Sequence, residues 1–169
     1  MVADMDKRNN KIVLSLGGNI GKVRETFTRA IHLLKKEVGR EIILSPIYST
    51  KAWGVENQPD FLNQVVVLES SLSALQVLKI CLAIEGKLGR VRTQKWYERV
   101  IDIDLLFYNN DIFNLKELIV PHPYLHKRNF VLVPLIDVLP QFKHPLLGKT
   151  MEELKKECKD ELEVEKYLG

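Results

Sequence analysis

Alternating apolar runs along this chain are interrupted twice by stretches in which apolar residues recur every three or four positions. Residues 11–16 (KIVLSL) read as a strand that stops at Gly17-Gly18-Asn19, with Gly21 just beyond. Val23, Phe27, Ile31, Leu34 and Val38 then fall near helical spacing and predict a helix over about 22–38. A second strand is predicted over 40–48, a long polar loop over 49–60 that carries an isolated Trp53, and a third strand over 61–69. Ser71-Leu72-Ser73 opens a second helix at about 73–88, with Leu75, Leu78, Leu82 and Ile84 along it. A second long loop follows over 89–98, and the fourth strand over 99–107. In that strand Ile101, Ile103, Leu105 and Phe107 are expected on one face, and Val100, Asp102, Asp104 and Leu106 on the other.

The order β-α-β-β-α-β is that of the split-βαβ, ferredoxin-like fold. Beyond it the pattern predicts a small hairpin over 112–120, a Pro-bounded loop, a helix near 129–138 and a C-terminal helix near 150–157. Helices on one face of a mainly antiparallel sheet give an α+β class. A chain of 169 residues without repeats or a linker-like stretch is expected to form one domain, 1–169, with residues 1–10 a flexible N-terminus.

Composition narrows the function classes. With 46% hydrophobic and 28% charged residues the chain is ordinary for a globular protein, and a formal charge of +3 gives no push toward nucleic acid or a membrane. Cys81 and Cys158 are too few for a metal cluster and suit free thiols in a reducing compartment. The polar start MVADMDKRNN and the lack of a long apolar run lead us to expect a cytoplasmic protein. Charge is uneven, however: Lys87, Arg90, Arg92, Lys95 and Arg99 crowd the loop that runs straight into the acidic strand.

The chemistry concentrates there. Asp102 and Asp104 are roughly 6.6 Å apart along the backbone and share a face of an apolar strand. Half-buried paired anions require a positive neighbour, which could be a Mg²⁺ pair holding polyphosphate or nearby Lys and Arg side chains. Arg90, Arg92 and Arg99 around Trp96 suit bidentate phosphate contacts and stacking on a heterocycle, or form a solvated basic loop. Glu85 ends the second helix, as a ligand or a solvated helix-end acid. His122 sits in the stiff Val120-Pro121-His122-Pro123 turn, able to donate to a phosphate or to cap a carbonyl. Arg128 and Phe130 mark a helix start, and Asn63 on the third strand offers a donor–acceptor edge that matches a nitrogen heterocycle. Together these point to a site for a nucleotide polyphosphate and a flat heterocycle.

Seven segments in order then resemble one family: LGGNIG (16–21), YST (48–50), NQPDFLN (57–63), EGKLGRVR (85–92), WYERVIDID (96–104), VPHP (120–123) and RNFVLVPL (128–135). The chain is similar over about 11–140 to the 6-hydroxymethyl-7,8-dihydropterin pyrophosphokinases of folate biosynthesis, which move diphosphate from ATP to a pterin alcohol. The resemblance implies that Asp102 and Asp104 hold two Mg²⁺ ions bridging the phosphates of ATP. It implies that Arg90, Arg92 and Arg99 belong to a catalytic loop, and that Trp96 closes over the substrates. Glu85, His122 and Arg128 match nucleotide-site positions, whereas Thr50, Asn63 and Phe130 match pterin positions, with Trp53 and Phe61 on the same side. The chain departs from the family's pattern at Ala52, Lys95 and Tyr97-Glu98. The expected partners are small molecules, ATP and the pterin, with neither nucleic acid nor membrane, and the expected state is a monomer. The rival reading, an RNA-binding sheet, would need exposed aromatics where this strand carries Asp102 and Asp104.

Overall fold

The computed structural model describes residues 9–52, 57–91 and 98–169. Its chain order is β1 (Asn10–Gly18), α1 (Val23–Glu37), β2 (Arg40–Leu44), β3 (Tyr48–Thr50), β4 (Phe61–Ser70), α2 (Ala74–Lys87) and β5 (Asp102–Tyr108). A short hairpin of β6 (Phe113–Asn114) and β7 (Ile119–Val120) leads through a 3₁₀ turn to α3 (Asn129–Val138), α4 (Met151–Glu157) and β8 (Val164–Lys166). Strands lie in the order β5-β1-β4-β3-β8, and β2 also pairs with β4. All of these pairings are antiparallel, so the predicted βαββαβ core is present with its first and third strands central.

Four expectations need correction. The second strand is two strands, because Pro46 has no N–H to continue a ladder and Ser45 instead takes the bond to Val65 O at 2.9 Å. Asn10, expected within a flexible start over 1–10, pairs with Ser70 in β1; residues 1–8 lie outside the described residues. Helices cover both sheet faces rather than one. Ile12, Leu14, Leu16, Val66, Leu68, Ile103 and Leu105 meet α1 and α2 through Phe27, Leu34, Val77 and Ile84. Val13, Val65, Val67, Leu106 and Phe107 meet α3 and α4 through Leu132, Leu135, Met151 and Leu154.

The fourth correction is Phe107, placed by strict alternation with Ile103 and Leu105. Leu14 faces Leu105 but Val13 faces Phe107, so Leu106 is an extra residue in a β-bulge. The slip turns Phe107 to the α3 face, beside Phe142 and His144, and puts Tyr108 on the α1–α2 face. Upstream of the bulge the alternation is kept, so Asp102 and Asp104 stay on the α3 side.

Candidate active site

One end of the α3 face forms a cleft of about 500 Å³. Its floor follows from strand register. Gly17 on β1 lies between Asn63 on β4 and Asp102 on β5, and Ser15 lies between Val65 and Asp104. Thr50 faces Phe61 across β3 and β4. Period-2 alternation therefore brings Asp102, Asp104, Ser15, Gly17, Asn63, Phe61 and Thr50 to one surface. A Cβ on Gly17 would come within 3.2 Å of the Asn63 amide oxygen, so any larger residue would push that amide aside. At Gly18 a Cβ would stand 2.7 Å from Val100 O, where backbone cannot yield.

Arg99, His122, Arg128 and Phe130 complete the cleft walls. Asn19, whose side chain is buried, holds the loop leading into β5: its amide oxygen accepts from Arg99 N at 2.9 Å, and its backbone N–H donates to Arg99 O at 2.9 Å. His122 N donates to Leu106 O at 3.1 Å, beside the bulge, and the Val120–Pro121 bond before it is cis. The Arg128 guanidinium lies over the rings of Tyr124, at 5.3 Å, and Phe130, at 5.7 Å. Tyr48 donates its hydroxyl to Asp137 and so ties β3 to α3; burial and that carboxylate push its pKa up to about 12.

Nine of the fourteen expected site residues share this cleft: Thr50, Phe61, Asn63, Arg99, Asp102, Asp104, His122, Arg128 and Phe130. Trp53, Arg92 and Trp96 lie outside the described residues, as do Lys95 and Tyr97. Glu85 and Arg90 stand behind the floor instead. Glu85 is only 3% exposed and accepts from Ile103 N at 2.7 Å, while Arg90 bridges it to Asp102 with contacts of 2.5 and 2.9 Å. Burial raises the Glu85 pKa, opposed by the Ile103 N–H and by Arg90.

Both accounts of the acidic pair find support here. Asp102 is matched by Arg90 and Arg99, the neighbouring-cation arrangement. Asp104 has no cation within ion-pair distance among the described residues. It opens to solvent through the cleft mouth, yet the enclosing walls displace enough water to raise its pKa, and Asp102 raises it further. His122, Arg99 and Arg128 act in the opposite direction. That balance leaves the Asp104 carboxylate, and Asp102 Oδ1, which Arg90 approaches at 2.9 Å without hydrogen-bond geometry, able to accept a further partner. Two carboxylates are hard oxygen ligands, and no group of three or more His, Cys, Asp or Glu gathers among the described residues. The donor set therefore fits Mg²⁺, which commonly takes one or two carboxylates and fills its octahedron with water and substrate phosphates.

His122 has its pKa lowered, first by burial and also by Arg128, against the pull of Asp104. Its Nδ1 accepts from Tyr124 N at 3.3 Å, which leaves the proton of the neutral ring on Nε2 as a donor.

Other cleft residues were not singled out in the sequence. Ser15 carried a signal, a polar side chain on the same face as Asp104 in register. Lys51 and Lys127 are ordinary surface-type residues in sequence. Asp160 and Leu162 carried none, because they follow the last predicted helix and reach the cleft only through tertiary structure.

Comparison with known proteins shows the family to which this chain belongs. The model of the family described as 7,8-dihydro-6-hydroxymethylpterin-pyrophosphokinase (HPPK) matches residues 13–140. A 2-amino-4-hydroxy-6-hydroxymethyldihydropteridine pyrophosphokinase of Aquifex aeolicus is 39% identical over 146 residues, covering 86% of this chain and 91% of its own. The enzyme of the same name from Synechocystis is 40% identical over 152 residues, covering 89% of this chain and 77% of its own. The fission yeast folic acid synthesis protein fol1 is 35% identical, and the match spans only 20% of that longer protein. A Plasmodium falciparum HPPK-DHPS crystal structure with pteroate superimposes with a TM-score of 0.74 at 19% identity, covering 89% of this chain. This chain spans 42% of that one, and at such identity the likeness bears on fold alone. Matched through more than half its length by the family model and closely related to several full-length members, the chain belongs to the 7,8-dihydro-6-hydroxymethylpterin-pyrophosphokinase family.

Proposed function

We propose that the cleft performs the pyrophosphokinase reaction of this family, joining the hydroxymethyl oxygen of 6-hydroxymethyl-7,8-dihydropterin to the β-phosphorus of ATP. The bond between that phosphorus and the oxygen leading to the α-phosphate breaks, AMP leaves, the β- and γ-phosphates pass to the pterin, and the hydroxyl proton goes to solvent. The carrying observation is that an acidic pair, Asp102 and Asp104, opens into the same cleft as a buried amide, Asn63, and an aromatic ring, Phe130.

Asn63 offers the heterocycle a donor and an acceptor, Phe130 and Phe61 offer ring faces, and Thr50 sits beside them at the β3 edge. Asp102 and Asp104 would hold Mg²⁺. Bound there, the metal would offset phosphate charge and align the reacting phosphates. Arg99 and Arg128 bring fixed positive charge to the same place, and His122 Nε2–H is a neutral donor for a phosphate oxygen. Arg90, held by buried Glu85, keeps its guanidinium at Asp102, from where it can turn to an arriving phosphate. Trp53, Arg92 and Trp96, which lie outside the described residues, would by the family resemblance help exclude water from the site. Positioning and charge carry such a reaction, so no general base is invoked.

The two sheet-face cores share β1, β4 and β5, which suits one domain over 1–169; the proposed enzyme is a monomer. No helix among the described residues is long and apolar enough to cross a membrane, and free Cys81 and Cys158 suit a reducing cytoplasm.

Titration calorimetry with the pterin alcohol tests the recognition half. Asn63→Ala should weaken pterin binding by on the order of 10-fold or more while leaving ATP affinity within about 2-fold, because an unpaired heterocycle edge is costly to bury. Equal pterin affinity in the two proteins would place the heterocycle elsewhere.

A further inference from the structure

The family match ends at residue 140, yet the chain beyond it returns to the cleft. After α4, residues 159–163 pass the start of α3, and β8 then pairs with β3, setting Val164 opposite Thr50, Glu165 opposite Ser49 and Lys166 opposite Tyr48. Tyr167 N adds a bond of 2.9 Å to Ile47 O. The strap is thus fixed at one end to the strand that carries Thr50.

Its other end is fixed to the start of α3. That helix begins after Arg128, whose side chain supplies no cap. Asp160 supplies one from outside: its Oδ2 accepts the N–H of Asn129 at 2.9 Å, while its Oδ1 accepts Leu162 N at 3.0 Å. The Asn129 side chain, 7% exposed, donates in return to Asp160 O and, at 3.4 Å, to Leu162 O. Asn129 lies between Arg128 and Phe130, so this knot sets the residue that separates two cleft walls. Asp160 and Leu162 themselves line the cleft with Thr50, Asn63, Arg128 and Phe130.

We propose that this C-terminal strap is the fourth wall of the heterocycle pocket, with Leu162 a specificity-determining contact for the flat ring and Asp160 a positioning residue for Arg128 and Phe130. The inference rests on the pterin reading of the cleft. Leu162, with Leu106 and Val131, supplies apolar surface to a cleft otherwise lined mostly by polar and aromatic groups, as small-molecule pockets combine them. Asp160 acts through Asn129 and the first turn of α3.

Steady-state kinetics and calorimetry on the full chain test it. Leu162→Ala should raise KM and Kd for the pterin alcohol on the order of 10-fold, with KM for ATP unchanged within about 2-fold and the thermal midpoint kept. Leu162→Met, which keeps the apolar volume, should restore most of the affinity. Asp160→Ala should raise KM for both substrates, and Asp160→Asn, which retains one acceptor oxygen for Asn129 N, should recover part of each. A wild-type chain that binds pterin, alongside Leu162→Ala with unchanged pterin Kd, overturns the strap alone. Failure of the wild type to bind pterin overturns both the strap and the pterin reading. Equal loss for ATP and pterin in Leu162→Ala, unrelieved by Leu162→Met, would mark a general structural role and also overturn the specificity claim.

Discussion

Histidine 144 shows how far burial shifts a single residue. It is 4% exposed, its Nδ1 accepts two backbone N–H groups, and burial, with His126 nearby, holds its pKa at about 4 instead of 6.5. The folded protein therefore binds this proton later than the unfolded chain does. As pH falls from 6.5 toward 4, the unfolded state gains the proton first, so stability declines across that window and levels off below it. Urea unfolding at pH 7, 5.5 and 4.5 should show a decline in the wild type that His144→Asn reduces by up to about 3 kcal/mol. Identical acid-side slopes for both proteins would show that His144 does not titrate as assigned. The two site aspartates follow the same physics in different settings: Asp102 is answered by two arginines, whereas Asp104 has no cation within ion-pair distance among the described residues.

At the scale of elements, α2 is set by local chemistry. Ser73 and Gln76 form a reciprocal capping box, and Thr150 and Glu153 repeat it on α4. Ser73→Ala should cost about 1 kcal/mol in chemical unfolding without altering pterin affinity, because α2 packs on the sheet face opposite the cleft. A change in pterin Kd would show that α2 couples to the site. Such elements were legible in the sequence because their signals are local: Ser71-Leu72-Ser73 announced α2, and Ile12, Leu14 and Leu16 announced β1. The β5 alternation placed Asp102 and Asp104 correctly but failed at Phe107, since a bulge depends on how two strands register and leaves no mark in one of them. Pro46 did leave a mark, as a residue without an N–H inside the expected second strand, but its effect was realised only when Ser45 took the bond to Val65.

For the whole molecule, the layers explain why most of the site could be anticipated and part could not. Three adjacent strands, β5, β1 and β4, carry apolar side chains to both faces along most of their length, and toward one end of the α3 face they carry acids, an amide and glycine instead. That switch is written in the alternation of each strand and in the segments that resemble the family. Glu85, expected at the nucleotide, accepts from Ile103 N–H and pairs with Arg90, a partnership no linear spacing reveals. Asp160 and Leu162 likewise depend on the chain doubling back after α4, a long-range event fixed by β8 pairing and by the cap on Asn129.

The most direct test is ³¹P NMR of a mixture of ATP, Mg²⁺ and 6-hydroxymethyl-7,8-dihydropterin, with the wild type and with Asp104→Asn. The wild type should give equal amounts of AMP and pterin diphosphate, and none of either without pterin. Asp104→Asn should slow both by on the order of 10²–10³-fold or more while remaining folded. Formation of ADP and free phosphate, or an Asp104→Asn rate equal to that of the wild type, would contradict diphosphate transfer at this acidic pair.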